Sequence, residues 1–377
     1  MTRLFLIRHT QAEGNLYRMM QGQWDGPITA LGRQQINALS ERFRSMPVDA
    51  VYASDLKRAV LTAEGVAAPK GLAVQTDVRL RELDLGPWES QFFGNVRHAY
   101  PEETQNFLYA PEDWRVPGAE TMKDVSGRAI RALEEISRTH DGQTVAVVSH
   151  GITIRCVLSR ILGKRMAGEE LLPIFKNTAV TELRYNDGQF TVETMGDASH
   201  VEALLASDWV TLDALRDERY DPETDTAFYE ACYEESWLLA HNGDRRHFQA
   251  EAYSRAARQH CTVCPDAVKK LYEHDRCVGL VDCDTKHGAH AGYGWISFLY
   301  LAPEARGKGY GAQALGRALV LYRNLGRYAI RLHTAVSNER AIRFYQSCGF
   351  RLLCEEPGMS GPLALMEKRI GGEADVR

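Results

Sequence analysis

Four consecutive apolar residues, Leu4-Phe5-Leu6-Ile7, run into Arg8-His9-Thr10. An uninterrupted apolar run of this length predicts a strand buried on both faces. After a polar stretch the period changes, and Ile36, Leu39 and Phe43 fall on one face of a helix with Thr29 as its N-cap. Residues 49–53 predict a short strand, and Ser54 or Asp55 is expected to cap a following helix that carries Arg58. Residues 143–148 form another buried run ending in Ser149-His150-Gly151, which leads into the amphipathic stretch 152–162. Strands alternating with helices predict a mainly parallel sheet covered on both faces. Residues 180–185, the turn Asn186-Asp187-Gly188 and residues 190–194 predict a hairpin that closes this unit.

The pattern beyond this hairpin is different. Residues 222–275 read as largely helical, with Phe228, Cys232 and Trp237 among the apolar positions, and 278–281, 294–301 and 328–334 read as strands. A chain of 377 residues is long for one core, so two domains are expected. No Pro/Gly/Ser-rich linker separates them, and the boundary is placed near residues 200–208, where the hairpin ends.

Composition removes several classes of function. A net charge of −5 gives no reason to expect a nucleic-acid partner. No apolar stretch approaches the ~20 residues that span a bilayer. The N-terminus lacks the apolar core and cleavage site of a secretory signal, so a cytoplasmic protein with no membrane partner is expected. The eight cysteines are then expected to be reduced. Cys261-Thr262-Val263-Cys264 has the spacing of a metal knuckle, but Cys277 and Cys283 do not form a second such pair. Idle thiols are the preferred reading, with no metal.

Three strand-to-helix junctions carry Arg8/His9, Arg58 and His150. In a parallel sheet all three share one edge, where open α/β folds place their ligand crevice. Two guanidiniums offer forked donors to a phosphoryl group, and one imidazole with its Nδ1–H held by a neighbour can attack phosphorus. Glu82 is the candidate acid for protonating the leaving oxygen. Singly, each of these residues would read as an ordinary surface or structural side chain. Their order along the chain gives them weight.

Arg8-His9 with Glu13 and Asn15, Gln21-Gly22 and Asp25-x-Pro27-Ile28-Thr29 open a series of ordered motifs. Ser54-Asp55-Leu56-Lys57-Arg58-Ala59, Arg81-Glu82 with Gly86-x-Trp88-Glu89, Pro117-Gly118-Ala119-Glu120 and Ser149-His150-Gly151 follow. Over residues 1–202 this series resembles the histidine phosphatase superfamily, which includes phosphoglycerate mutases. The resemblance implies an α/β/α sandwich in which His9 is phosphorylated and Glu82 donates the proton. Arg8, Arg58 and His150 would bind the phosphoryl group of a small phosphomonoester, assisted by Asn15, without a metal. Thr10, Gln11 and Ser90 depart from the usual Gly, Glu and Gly, which bears on substrate fit more than on the charged set. The mutase branch typically has a longer insertion before the second histidine, so hydrolysis is expected, with a phosphoglycerate mutase as the alternative.

In the second half, Phe298-Leu299-Tyr300-Leu301 leads into Arg306-Gly307-Lys308-Gly309-Tyr310-Gly311 and then a helix over 312–322 with Leu315, Leu319 and Tyr322 on one face. Glycines let backbone approach a diphosphate at a helix start, and Arg306 and Lys308 add positive charge. This loop, followed by Asn338 through Tyr345 to Gly349-Phe350, resembles the GNAT N-acetyltransferase superfamily, strongly over 276–370 and weakly over 205–275. That implies a GNAT-like α+β domain with a mixed sheet over 205–377, using acetyl-CoA. Its pyrophosphate would lie on the amides of Gly307, Gly309 and Gly311, its pantetheine arm along Leu299 and Leu301, with Asn338 in contact. Tyr345 would protonate the thiolate. Asp282, Asp284 and Glu304 are all open as bases for an unidentified amine. The alternative is a domain that senses acetyl-CoA without turnover.

Overall fold

Strand β1 (Thr2–Arg8) is central to the first sheet, and its side chains alternate between two apolar clusters. Leu4 and Leu6 pack with Leu133, Ile136, Ile154 and Val157, while Phe5 and Ile7 pack with Leu39, Phe43, Ala63 and Val66. Two covered faces account for the uninterrupted apolar run. The computed structural model describes residues 1–166, 172–204, 213–241, 243–359 and 361–371. It divides into two units, Met1–Asp208 and Trp209–Arg377. The expected junction falls partly on residues 205–212, outside the described residues.

In the first unit β1 is followed by α1 (Glu13–Tyr17), α2 (Ala30–Phe43), β2 (Ala50–Ala53), α3 (Lys57–Ala67), β3 (Val74–Thr76), α4 (Phe93–Ala99), α5 (Pro101–Tyr109) and α6 (Met122–Thr139). Then come β4 (Thr144–Ser149), α7 (Gly151–Leu162), β5 (Val180–Asn186) and β6 (Gln189–Asp197). The sheet order is β3-β2-β4-β1-β5-β6, parallel across the first four strands and antiparallel in the closing hairpin. The parallel register sets Arg8 opposite Ser149 and Ala53 opposite Val148, so three strand ends finish level. Thr29 caps α2, its hydroxyl accepting from the Gly32 amide. The expected cap of α3 is corrected. Leu56 is the N-cap, Asp55 pairs with Arg81, and the Lys57 amide donates 2.7 Å to Asp25 from a distant loop.

The second unit runs β7 (Arg216–Arg219), α8 (Thr226–Ala240), α9 (Ala250–Val263), β8 (Val268–Glu273), β9 (Arg276–Asp284) and β10 (Tyr293–Leu301). It continues with α10 (Tyr310–Asn324), β11 (Ala329–Ala335), α11 (Glu339–Ser347), β12 (Arg351–Gly358) and β13 (Gly361–Arg369). Its mixed seven-stranded sheet has the order β12-β13-β11-β10-β9-β8-β7. β10 and β11 form the parallel pair, whose register runs from Tyr293↔Ala329 to Ile296↔Leu332 and stops there. A bulge between Ile296 and Phe298 accompanies that divergence.

The helical reading of 222–275 is corrected at its end, where β8 is a strand. Val268 joins the cluster under α8 and α9, while Leu271 joins the cluster on the opposite face with Tyr310 and Ala314. Burial on both faces of a strand produces an apolar spacing of three that imitates a helix. All eight cysteines are free thiols, and among the described residues no group of three or more His, Cys, Asp or Glu side chains is placed to hold a metal. No helix among them is long and apolar enough to cross a membrane.

Candidate active sites

His9 and His150 follow directly on β1 and β4, and their ring centroids lie 5.0 Å apart. Both are buried. His9 Nδ1 is 2.6 Å from the carbonyl of Thr10. A carbonyl only accepts, so Nδ1 carries the hydrogen and Nε2 keeps its lone pair. Burial, together with Arg58 and Arg8, holds His9 well below the ordinary imidazole range. His150 is lowered in the same way by burial and by Arg58. Neither nitrogen of His150 has a partner among the described residues. Its two ring nitrogens are therefore available to bond a polar group that enters the pocket.

Arg58 is 1% exposed and reaches back from α3 to the carbonyls of Gly22 at 2.6 Å and Trp24 at 2.9 Å. Asp25 lies 3.6 Å from its guanidinium. Burial lowers Arg58 to about 10, which still leaves it charged at neutral pH. Arg8 donates to the carbonyl of Phe175. Asn15 accepts from the Ala12 amide through its side-chain oxygen, leaving its NH2 for other partners. The carboxylate of Glu82 sits at the N-terminus of α7, accepting from the amides of Ile152 at 3.1 Å and Thr153 at 3.0 Å and from the Thr153 hydroxyl. Both residues lie in the first turn of α7, the helix whose N-cap is His150. The fold thus brings Glu82 and His150 to one helix end.

In the second unit, a cavity of about 800 Å³ opens where β10 and β11 diverge. Leu299, Asn338 and Tyr345 line it. Burial pushes the Tyr345 phenol above its ordinary value, so it carries its proton at neutral pH. Beyond Ile296 the edge of β10 facing β11 is no longer in register with it, while Leu299 and Leu301 still pair with β9 on the other side. Asn338 caps α11 through its oxygen, accepting from Ala341. Gly307 and Gly309 adopt φ of +81° and +78°, with open space where a Cβ would stand. Gly311 differs: a Cβ there would meet the Phe344 ring at 2.9 Å. The added cations are both paired, Arg306 with Glu235 and Lys308 with Glu273. Glycine conformation, a helix start and an open strand edge together fit a pantetheine diphosphate.

The three carboxylates considered as bases are not among the residues that line this cavity. Asp282 is buried, accepts from the Tyr229 hydroxyl at 2.8 Å and lies 2.7 Å from His260 Nδ1. Asp284 is 3.4 Å from the other nitrogen of His260, and Glu304 pairs with Arg276.

A family model of the histidine phosphatase superfamily (branch 1) matches residues 4–198, over half of the chain. The chain belongs to the histidine phosphatase superfamily. A model of the acetyltransferase (GNAT) family matches residues 216–350, so a histidine phosphatase domain is followed by a GNAT domain. A protein of Salmonella choleraesuis named probable phosphoglycerate mutase GpmB is 35% identical over 208 residues, covering 54% of this chain and 96% of that one. Among solved structures, Bacillus stearothermophilus YhfR is similar at 33% identity and a TM-score of 0.52, over 54% of this chain and 100% of that one.

The histidine phosphatase domain also contains a cation that pattern reading passed over. Arg155 on α7 is 7% exposed, and its Nε and Nη2 have no partner among the described residues. The available signal was an arginine inside the apolar tract Ile152 to Leu158. Asp25 is a second omission. It lies within a quoted motif, yet its cap to α3 spans 32 positions and leaves no local trace.

Proposed function

We propose that this chain is a bifunctional cytoplasmic enzyme, with phosphomonoester hydrolysis in residues 1–202 and acetyl transfer to an amine in residues 205–377. What carries the first activity is His9: buried, neutral, with its Nδ1–H committed to Thr10 and its Nε2 lone pair left over. Nε2 attacks phosphorus and forms an N–P bond as the ester P–O bond breaks. Glu82 gives its proton to the departing oxygen, then takes one from the water that hydrolyses phospho-His9 and releases inorganic phosphate. Arg8, Arg58, His150 and the amide of Asn15 hold the phosphoryl oxygens throughout. None of these roles calls for a metal.

In the second domain, bound acetyl-CoA supplies an acetyl group activated as a thioester. The amides of Gly307, Gly309 and Gly311 bind its diphosphate at the start of α10. The open edge of β10 at Leu299 and Leu301 would align the pantetheine arm, Asn338 would contact it, and Tyr345, which keeps its phenol proton, would be the group to protonate the departing thiolate. Arg306 and Lys308 contribute field from within their ion pairs.

The test of the hydrolytic reading is rapid acid-free quenching during turnover of a phosphomonoester. Acid-labile phosphate should be trapped on His9 and should be absent from His9→Ala. Equal labelling of that variant would remove His9 as the nucleophile. The relatedness to a probable phosphoglycerate mutase favours a second reading, phosphoryl transfer between positions of one substrate. The same quench separates the two, because hydrolysis releases phosphate to solvent and a mutase keeps it on the product.

A further inference from the structure

One part of the cavity wall in the second unit is aromatic. Tyr233 and Trp237 from α8, Tyr253 from α9, Trp295 from β10 and His333 from β11 all line it. Tyr233 and Tyr253 stack with centroids 3.9 Å apart and planes 14° apart, and Tyr253 in turn approaches Trp237 at 6.1 Å. Trp295 meets His333 edge-on at 4.8 Å. Among the described residues lining the cavity there is no Asp, Glu, Lys or Arg. An acceptor with several ammonium groups would surrender hydration on each and find no carboxylate in exchange. One ammonium, by contrast, is served by aromatic faces, and a flat apolar body by stacking against them.

Resting on the acetyl-transfer reading, we infer that the acceptor is a primary monoamine carried on an aromatic or similarly flat apolar body. Polyamines, aminoglycosides and lysine-rich peptides are disfavoured by the same wall. The nucleophilic amine must lose a proton, and two imidazoles on the wall can accept it. His241 Nδ1 is 2.8 Å from the Trp237 carbonyl, so it carries the hydrogen and leaves Nε2 as the acceptor. His333 Nε2 is 3.0 Å from the Glu356 carboxylate, which only accepts, so Nε2 carries a hydrogen and Nδ1 is the nitrogen that faces the proton transfer. The side of the cavity formed by Leu299, Asn338 and Tyr345 remains for the acyl arm.

Calorimetric titration of the full chain in the presence of CoA, with 2-phenylethylamine and separately with spermidine, tests this without turnover. The aryl amine should bind at least tenfold more tightly. Trp237→Leu should weaken it by at least tenfold, while Trp237→Phe restores most of the affinity. CoA binding, unchanged in both variants, reports that the domain is folded. Spermidine binding as well as the aryl amine, or aryl-amine affinity indifferent to Trp237→Leu, would overturn the inference. Replacing CoA by acetyl-CoA and following thiol release keeps the two readings apart. Thiol release with spermidine alone overturns the acceptor class and leaves acetyl transfer standing. Aryl-amine binding through Trp237 without thiol release from any amine supports the ligand class and overturns acetyl transfer.

Discussion

His9 and His150 are kept neutral by burial and by the Arg58 charge, and that has a consequence on the acid side. The unfolded chain takes up a proton on each ring as pH falls through the ordinary value of 6.5, while the folded pocket resists. Stability is therefore complete above that value and is lost progressively below it, towards the lowered folded values. Hydrogen exchange at the buried β4 amides, corrected for intrinsic rate, should show opening increased by about tenfold or more between about pH 7 and pH 5. His150→Gln removes one of the two rings and should flatten that slope. An identical slope in both proteins would mean that the pair does not govern acid sensitivity. At this scale the charged set was legible, because Arg8, His9, Arg58 and His150 each fall at a strand-to-helix junction, in order along the chain. That the group holding the His9 Nδ1–H is the Thr10 carbonyl was not, since it depends on where that carbonyl points. Arg155 was missed because an arginine within an apolar tract looks like a solvated interruption of it.

Helices whose ends are closed locally could be read from the chain, and those closed from afar could not. Thr29 is adjacent to α2 and caps it, as its position announces. α3 takes its cap from Asp25, and the same carboxylate stands beside Arg58 at the second position of that helix. Asp25→Ala should thus lower the stability of the first unit by about 1 kcal/mol, the usual cost of a lost cap. It should also raise KM for a phosphomonoester, since Arg58 loses a neighbour that helps hold its guanidinium. Asp25→Asn keeps an acceptor for the Lys57 amide and should retain most of the stability while still raising KM. Denaturant titration alongside steady-state kinetics checks both, and an Asp25→Ala protein as stable as the parent would dismiss the cap. β8 failed to be read for a related reason. Its apolar residues serve two different cores, and only the partner strands β7 and β9 reveal that.

Across the whole chain, the two sites draw on separate sheets, separate clusters of apolar side chains and separate family matches. A substitution at one site can therefore test the other for independence. Gly309 ends the loop before α10 at φ +78°, a conformation that a branched side chain resists. Apart from its chain neighbours, no described residue comes within 4 Å of its missing Cβ, so Gly309→Val acts through backbone strain and intrusion on that open space. Acetyl-CoA affinity should fall at least tenfold, or about 1.4 kcal/mol. Gly311→Val is a useful contrast, because its Cβ would strike Phe344 and should unsettle the packing of α10 on α11 as well. Phosphate release from an aryl phosphate should stay within twofold of the parent in Gly309→Val. Calorimetry with acetyl-CoA and the phosphate assay on one preparation read both halves of the prediction. Unchanged acetyl-CoA affinity would remove the diphosphate from this loop, and a collapse of phosphate release would show that the two domains depend on each other for activity.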